Sequence, residues 1–258
     1  MILDEIAKKT HERIAERERQ IPLAEIRRTA ENMPNNGDFP FEKALVNNDI
    51  AFICEVKKAS PSKGIIAEDF PYLQIAREYE NAGAAAISCL TEPFWFKGSD
   101  EYLREITQNV KIPVLRKDFT ISPYMIYEAK SLGAAAVLLI CAILDEGELR
   151  EYLALAHSLG LSALVEAHNE SEIETAVKIG AEIIGVNNRD LRTFSVDTGN
   201  SAHLRELVPR DRIFVSESGI QSAEDVQKLR EMGANAVLIG ETLMRAPVKK
   251  AKLNELRG

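Results

Sequence analysis

Asn81-Ala-Gly-Ala-Ala-Ala-Ile87, Ser131-Leu-Gly-Ala-Ala-Ala-Val137, Lys178-Ile-Gly-Ala-Glu-Ile-Ile184 and Glu231-Met-Gly-Ala-Asn-Ala-Val237 repeat one phrase, with Ser158-Leu-Gly-Leu-Ser-Ala-Leu164 as a shorter cousin. Each time an amphipathic run ends at a glycine (Gly83, Gly133, Gly160, Gly180 or Gly233) and an apolar run follows within a few residues. Glycine suits the left-handed residue that closes a helix, because it has no Cβ to clash there. The apolar run lacks strict alternation, which fits a parallel strand covered on both faces. The phrase therefore reads helix, tight turn, buried strand, five times over.

Completing the pattern gives eight candidate strands at 50–57, 85–90, 112–116, 135–140, 162–166, 182–187, 212–216 and 235–239, with helices between them. Pro113 stands early in the third, where a missing N–H is tolerated. The competing arrangement is an open doubly wound sheet, but no Gly-x-Gly-x-x-Gly follows the first strand. Eight alternating units in 258 residues suit closure. The expected fold is α/β: a single (β/α)8 TIM barrel over residues 1–258, with 1–47 as an N-terminal helical extension. In that extension Leu3, Ile6 and Ile14 lie near one helical face, Lys8 to Arg19 is dense in charge, and Pro22 breaks the helix. The helix either caps the barrel bottom or lies near the active-site mouth, and the sequence leaves both open.

A net charge of −8 argues against nucleic acid and anionic membrane as partners, since phosphate-rich surfaces repel it. The longest apolar run, Ala134 to Leu144, is too short for a membrane span. Met1-Ile-Leu-Asp-Glu has neither a basic n-region nor an apolar h-region, so no signal peptide is expected and the location is cytoplasmic. Cys54, Cys89 and Cys141 fall in short apolar runs without Cys-x-x-Cys spacing and read as reduced core residues. His11, His157, His168 and His203 are scattered, so no metal site is expected.

In barrel enzymes the chemistry comes from the C-terminal ends of the strands. Here the first strand ends Glu55-Val-Lys57-Lys-Ala59-Ser60-Pro-Ser62-Lys63-Gly64, the third Arg116-Lys117-Asp118-Phe119, and the fifth Leu164-Val-Glu166. The sixth ends Asn187-Asn-Arg189-Asp190 and the seventh Ser216-Glu217-Ser218-Gly219. Alternation puts Glu55 and Lys57 on one side, and an inward Glu and Lys are costly unless paired or used. Singly, any of these is as well explained by an ion pair closing a strand. Two lysines and up to three glutamates converging on one barrel end are a group able to run general acid–base chemistry. Ser218-Gly219-Ile220 and Gly240-Glu241 occupy the common barrel phosphate position, where backbone N–H groups and a helix start favour an anion. Ser222 and Asp225 fit a capping box opening the next helix.

Taken in order, these segments, with Leu90-Thr-Glu92 and Phe96-Lys-Gly98, resemble the indole-3-glycerol-phosphate synthase family of tryptophan biosynthesis. The resemblance implies a carboxy-lyase. It closes the ring of 1-(2-carboxyphenylamino)-1-deoxyribulose 5-phosphate with loss of CO2 and water, and it uses no cofactor or metal. It implies Lys117 as general acid, Glu166 as its carboxylate partner, and Lys57 as binder of the substrate carboxylate with Glu55 holding it. Asn187 would orient the anilino part, and Arg189 and Glu217 would support the network. Ser60, Ser218, Gly219, Gly240 and Glu241 match the family's phosphate positions. Phe96, Phe119, Leu138, Ile140 and Leu191 match its apolar pocket. Some relatives carry a lysine where Ala59 stands, so Lys58 or Lys63 would supply that charge. Some carry a serine where Glu241 stands, so its side chain should turn away and its backbone donate. The expected partner is a small phosphorylated aromatic substrate; the chain is expected to be a monomer, with a partner chain of the same pathway as the alternative. The rival readings are another phosphate-binding barrel of tryptophan or histidine biosynthesis, a Schiff-base aldolase using Lys57 or Lys117, and a silent scaffold barrel.

Overall fold

The computed structural model describes residues 2–47, 49–190 and 193–258. Among these, eight parallel strands close into a barrel: β1 (Ala51–Val56), β2 (Ala86–Leu90), β3 (Val114–Lys117), β4 (Ala136–Ile140), β5 (Ser162–Ala167), β6 (Ile183–Asn187), β7 (Ile213–Glu217) and β8 (Ala236–Ile239). The seam is β1 against β8, with Ala51 level with Ala236 and Cys54 with Ile239. Two strands run later than the sequence pattern suggested. β3 starts at Val114, after Pro113, and pairs as far as Lys117 against Leu90. β7 pairs as far as Glu217 against Asn187. Lys117 and Glu217 are therefore the last residues of rigid strands and not loop residues.

The five glycines of the repeated phrase all take the left-handed conformation, with φ between 72° and 84°. Each closes its helix by the same pair of bonds. At the first, Gly83 N–H donates to Glu80 O (2.9 Å) and Ala84 N–H to Tyr79 O (3.0 Å), and Ala134, Leu161, Ala181 and Ala234 repeat the second bond. This satisfies carbonyls that a helix end leaves bare and sends the chain straight into the next strand.

Apolar side chains fill two layers. One lies between the strands and the surrounding helices. The other fills the barrel interior, where Ile53, Leu115, Leu164, Ile183 and Val215 pack beside the small Ala86, Ala136 and Ala236. Each large side chain so buried contributes roughly 1.5–3 kcal/mol.

The extension resolves into α1 (Ile2–Gln20), α2 (Leu23–Glu31) and α3 (Pro40–Leu45). α1 stops before Pro22, as the sequence required. The two placements considered for the extension are divided between its helices. α1 brings Ile2, Leu3 and Ile6 to the mouth of the barrel, while α3 buries Phe41 and Leu45 completely against β1, β2 and β5. The charge of α1 is partly a docking device. Arg13 Nη2 lies 2.8 Å from Asp118 Oδ1, and Arg17 pairs with Glu128 (2.7 Å) and Asp100. Behind them Arg116, 1% exposed, reaches Asp100 (2.9 Å), Glu128 (2.7 Å) and the Met125 carbonyl (2.9 Å). Burial would push the Asp118 carboxyl up, but Arg13 and Arg116 outweigh it and hold it below the usual range. Cys54 and Cys89 are core residues as expected; Cys141, just past β4, is only partly buried.

Candidate active site

The upper end of the barrel opens into a cavity of about 880 Å³, a size suited to a small-molecule ligand. Glu55 and Lys57 both face it, as strand alternation required, with Lys57 Nζ 2.5 Å from Glu55 Oε2. Their pairing depends on the neighbouring strand end. A Cβ at Gly240 would fall 2.2 Å from Glu55 Oε2 and 2.7 Å from Lys57 Nζ, so a side chain there would displace the pair.

Lys117 is the centre of the floor. Its Nζ lies 2.8 Å from Glu166 Oε2 and 3.1 Å from Glu217 Oε2, with all three side chains almost fully enclosed. Burial alone would strip the lysine of its proton, but Glu166, Glu217 and Glu55 reverse this and hold the ammonium charged. The two carboxylates diverge. Burial pushes both up. For Glu217 burial wins, aided by Glu166 and Glu55 and opposed by Lys117, and its carboxyl rises to about 7. For Glu166, Lys117, His168 and the Asn187 amide prevail, and it falls to about 2. Asn187 is aimed for this because its Oδ1 already accepts from Ser218 Oγ (2.9 Å) and Arg189 N–H (3.1 Å).

The apolar wall is formed by Phe96, Phe119, Leu138 and Ile140. Phe96 and Phe119 meet with ring centroids 6.0 Å apart. The Phe96 loop is pinned by Glu92, whose Oε2 accepts the Phe96 N–H at 2.9 Å. Arg189 lines the cavity and donates to the Phe194 carbonyl (3.1 Å), bracing the loop after β6. Leu191 lies outside the described residues.

Ser60, Ser218, Gly219, Gly240 and Glu241 line the same cavity. Ser60 sits on a short hairpin, Ala59–Ser60 against Gly64–Ile65. Ser218 and Gly219 take φ of 68° and 83°, a turn that bends the chain sharply out of β7. The Ser218 conformation is costly for a residue with a Cβ, as at many functional sites. Asp225 takes the N–H groups of Gln221 and Ser222, so the expected capping box forms.

Of the two lysines considered for the charge absent at Ala59, Lys63 lines the cavity, whereas Lys58 lies over the Phe70 ring at 6.0 Å. The Glu241 side chain is drawn to Arg245 (3.0 Å) and stands 3.9 Å from Lys63. Sequence reasoning missed Arg245, whose signal was its place one turn beyond Gly240-Glu241. It also missed His168, two residues past Glu166. Its Nε2 lies 3.4 Å from Glu166 Oε1.

The chain matches the family model described as indole-3-glycerol phosphate synthase over residues 3–256. It is 56% identical to the indole-3-glycerol phosphate synthase of Ruminiclostridium cellulolyticum over 258 residues, covering 100% of this chain and 99% of that protein. It is also 53% identical to that of Lacticaseibacillus paracasei over 250 residues, covering 97% and 96%. Among solved structures, 3-hexulose-6-phosphate synthase aligns with a TM-score of 0.64 at 14% identity, over 81% of this chain and 98% of that one. A tryptophan synthase α-subunit from Pyrococcus furiosus gives 0.62 at 17%, over 81% and 98%. These last two share the barrel fold alone. With a family match that runs nearly end to end and 56% identity across the whole length, the chain belongs to the indole-3-glycerol phosphate synthase family.

Proposed function

We propose that this cavity closes the indole ring of 1-(2-carboxyphenylamino)-1-deoxyribulose 5-phosphate, with Lys117 as the acid. The observation that carries the assignment is an ammonium held charged between two buried carboxylates at the cavity floor. The ring carbon bearing the carboxylate attacks the ketone carbon, and Lys117 donates a proton to the ketone oxygen as its charge develops. The carboxylate then leaves as CO2 and its electron pair restores the ring. Loss of the new hydroxyl as water, with a proton leaving the adjacent carbon, completes the indole double bond. Glu166, ionised, stabilises the cationic nitrogen formed as water departs. Glu217 changes protonation near neutrality, where an acid–base group is most effective.

Lys57, steadied by Glu55, binds the substrate carboxylate, and Asn187 orients the anilino group. Phe96, Phe119, Leu138 and Ile140 enclose the aromatic ring. Ser60, Ser218, Gly219 and the Gly240-Glu241 backbone hold the phosphate, with Lys63 and Arg245 supplying positive charge. The enzyme works as a monomer in the cytoplasm; no described helix is long and apolar enough to cross a membrane. Purified protein should convert this substrate to a fluorescent indole product without added metal. No fluorescence from folded protein at saturating substrate overturns the reading.

A further inference from the structure

Three carboxylates buried at strand ends, Glu55, Glu166 and Glu217, face two lysines, Lys57 and Lys117. The deficit matters most during turnover. When Lys117 gives its proton to substrate, Glu166 and Glu217 lose their shared cation together. A carboxylate left without a positive neighbour in an enclosed site takes a proton. Among the described residues Glu217 makes a salt bridge to Lys117 alone, and its Oε1 is buried without a hydrogen-bond partner. Glu166 differs because its second oxygen faces His168.

His168 is built to stay in place. Its Nδ1 lies 3.1 Å from Glu172 Oε2, and its backbone N–H donates to the same oxygen at 2.8 Å. Asn169 Nδ2 donates to the other Glu172 oxygen at 2.6 Å, and Asn200 Nδ2 to the His168 carbonyl at 3.2 Å. With Nδ1 committed to Glu172, Nε2 points inward to Glu166 Oε1, 3.4 Å away, buried and without a hydrogen bond of its own. Lys117 holds Oε2 of the same carboxylate. The charged groups around the imidazole are Glu166 on β5, Glu172 on the helix that follows, and Glu217 on β7. Cys141 beyond β4 donates its thiol to the Glu172 carbonyl. His203, on the outer side, lines the same surface cleft and pairs with Glu170. Burial disfavours the imidazolium, but Glu172, Glu166 and Glu217 outweigh it and raise the ring above its usual range.

We propose that His168 is a positioning residue that, as an imidazolium anchored by Glu172, keeps Glu166 ionised while Lys117 is discharged. The two carboxylates flanking Lys117 thereby take different parts: Glu217 accepts the proton that leaves the substrate carbon beside the departing hydroxyl, and Glu166 remains an anion. This rests on the assignment of Lys117 and Glu166 above.

The test compares His168→Gln and His168→Lys with the wild-type protein in indole-forming turnover from pH 5 to 9. Gln keeps a polar group at the site without charge, so in the substrate complex, once Lys117 is discharged, the acid limb of kcat should move up by about one unit, tenfold in the proton affinity of Glu166. At pH 6 its kcat should fall by about the same factor, with KM little changed. Lys restores the cation and should bring the limb back toward the wild-type position. A wild-type acid limb in His168→Gln, or a loss of kcat in both variants without any move of the limb, overturns the proposal. A wild-type protein that forms no indole removes the underlying reading, and the proposal with it.

Discussion

Gly185→Ala puts a methyl group where a carboxylate oxygen now sits. The new Cβ on β6 would fall 2.3 Å from Glu217 Oε1 and 3.0 Å from Leu164 Cδ1. Carbon and oxygen in ordinary contact stand roughly 3.4 Å apart or more, so Glu217 must retreat by about 1 Å. Its 3.1 Å bond to Lys117 does not survive that move. A misplacement of about 1 Å among reacting groups costs about 10²-fold in rate, so kcat should fall by that order. Overpacking adds about 1–3 kcal/mol of destabilisation. In a chain of this size that lowers the thermal midpoint by roughly 2–10 °C and leaves the protein folded at 25 °C. The assay is the initial rate of indole fluorescence at saturating substrate, beside a thermal melt of the same sample. Gly147→Ala is the control, since its Cβ would meet only Asp145 Oδ1 at 3.2 Å in the first turn of an outer helix. A Gly185→Ala protein turning over within about threefold of wild type would show that the exact seat of Glu217 carries no rate, and the reasoning would fail.

Lys117→Ala should lower kcat by roughly 10²–10⁴ while circular dichroism shows an intact barrel; near-normal turnover would place the acid elsewhere. Folded Glu217 keeps its proton to about pH 7 against an ordinary value of 4.5, so the native state binds more protons than the unfolded chain in that window. Stability should therefore fall as pH rises from 4.5 to 7. Glu166 acts in the opposite sense: its contribution is present above 4.5 and is lost as pH falls toward 2. Glu217→Gln should flatten the decline between 4.5 and 7, read as urea midpoints at pH 5 and 7; an unchanged decline would assign it to other groups. Arg116→Met takes the innermost cation from Asp100, Glu128 and Asp118, leaving them to Arg17 and Arg13, and should cost about 3–5 kcal/mol in chemical denaturation. A loss below about 1 kcal/mol would mean that the cluster adjusts without its cation.

The repeating units were legible because a helix closed by a left-handed glycine is local backbone chemistry, and all five such glycines adopt it. Glu55 and Lys57 were legible for a similar reason, since strand alternation puts residues two apart on one side. The last residue of β3 or β7 is another matter. It is set by how far the neighbouring strand continues, as in the pairs Leu90 with Lys117 and Asn187 with Glu217. The course of α1 over the mouth depends on Arg13 finding Asp118, a partner far along the chain, and nothing in the helix itself foretells it. His168 was set aside because the histidines lacked metal-ligand spacing; its partners are carboxylates, and proximity to Glu166 along the chain was its only mark. Cys141 read as core because its run is apolar, but the strand ends one residue earlier and leaves the thiol at the rim.

The seam between β1 and β8 carries a consequence for how the molecule is made. β1 leaves the ribosome early, while the strand that pairs with its free edge, through Ala51 to Ala236 and Cys54 to Ile239, is nearly two hundred residues behind. At roughly 5–20 residues per second the gap lasts tens of seconds. An apolar strand edge left open for that long invites pairing with other chains. α3, made just before β1 and packed against β1, β2 and β5, gives the waiting strand an apolar cover but leaves that edge to the last strand.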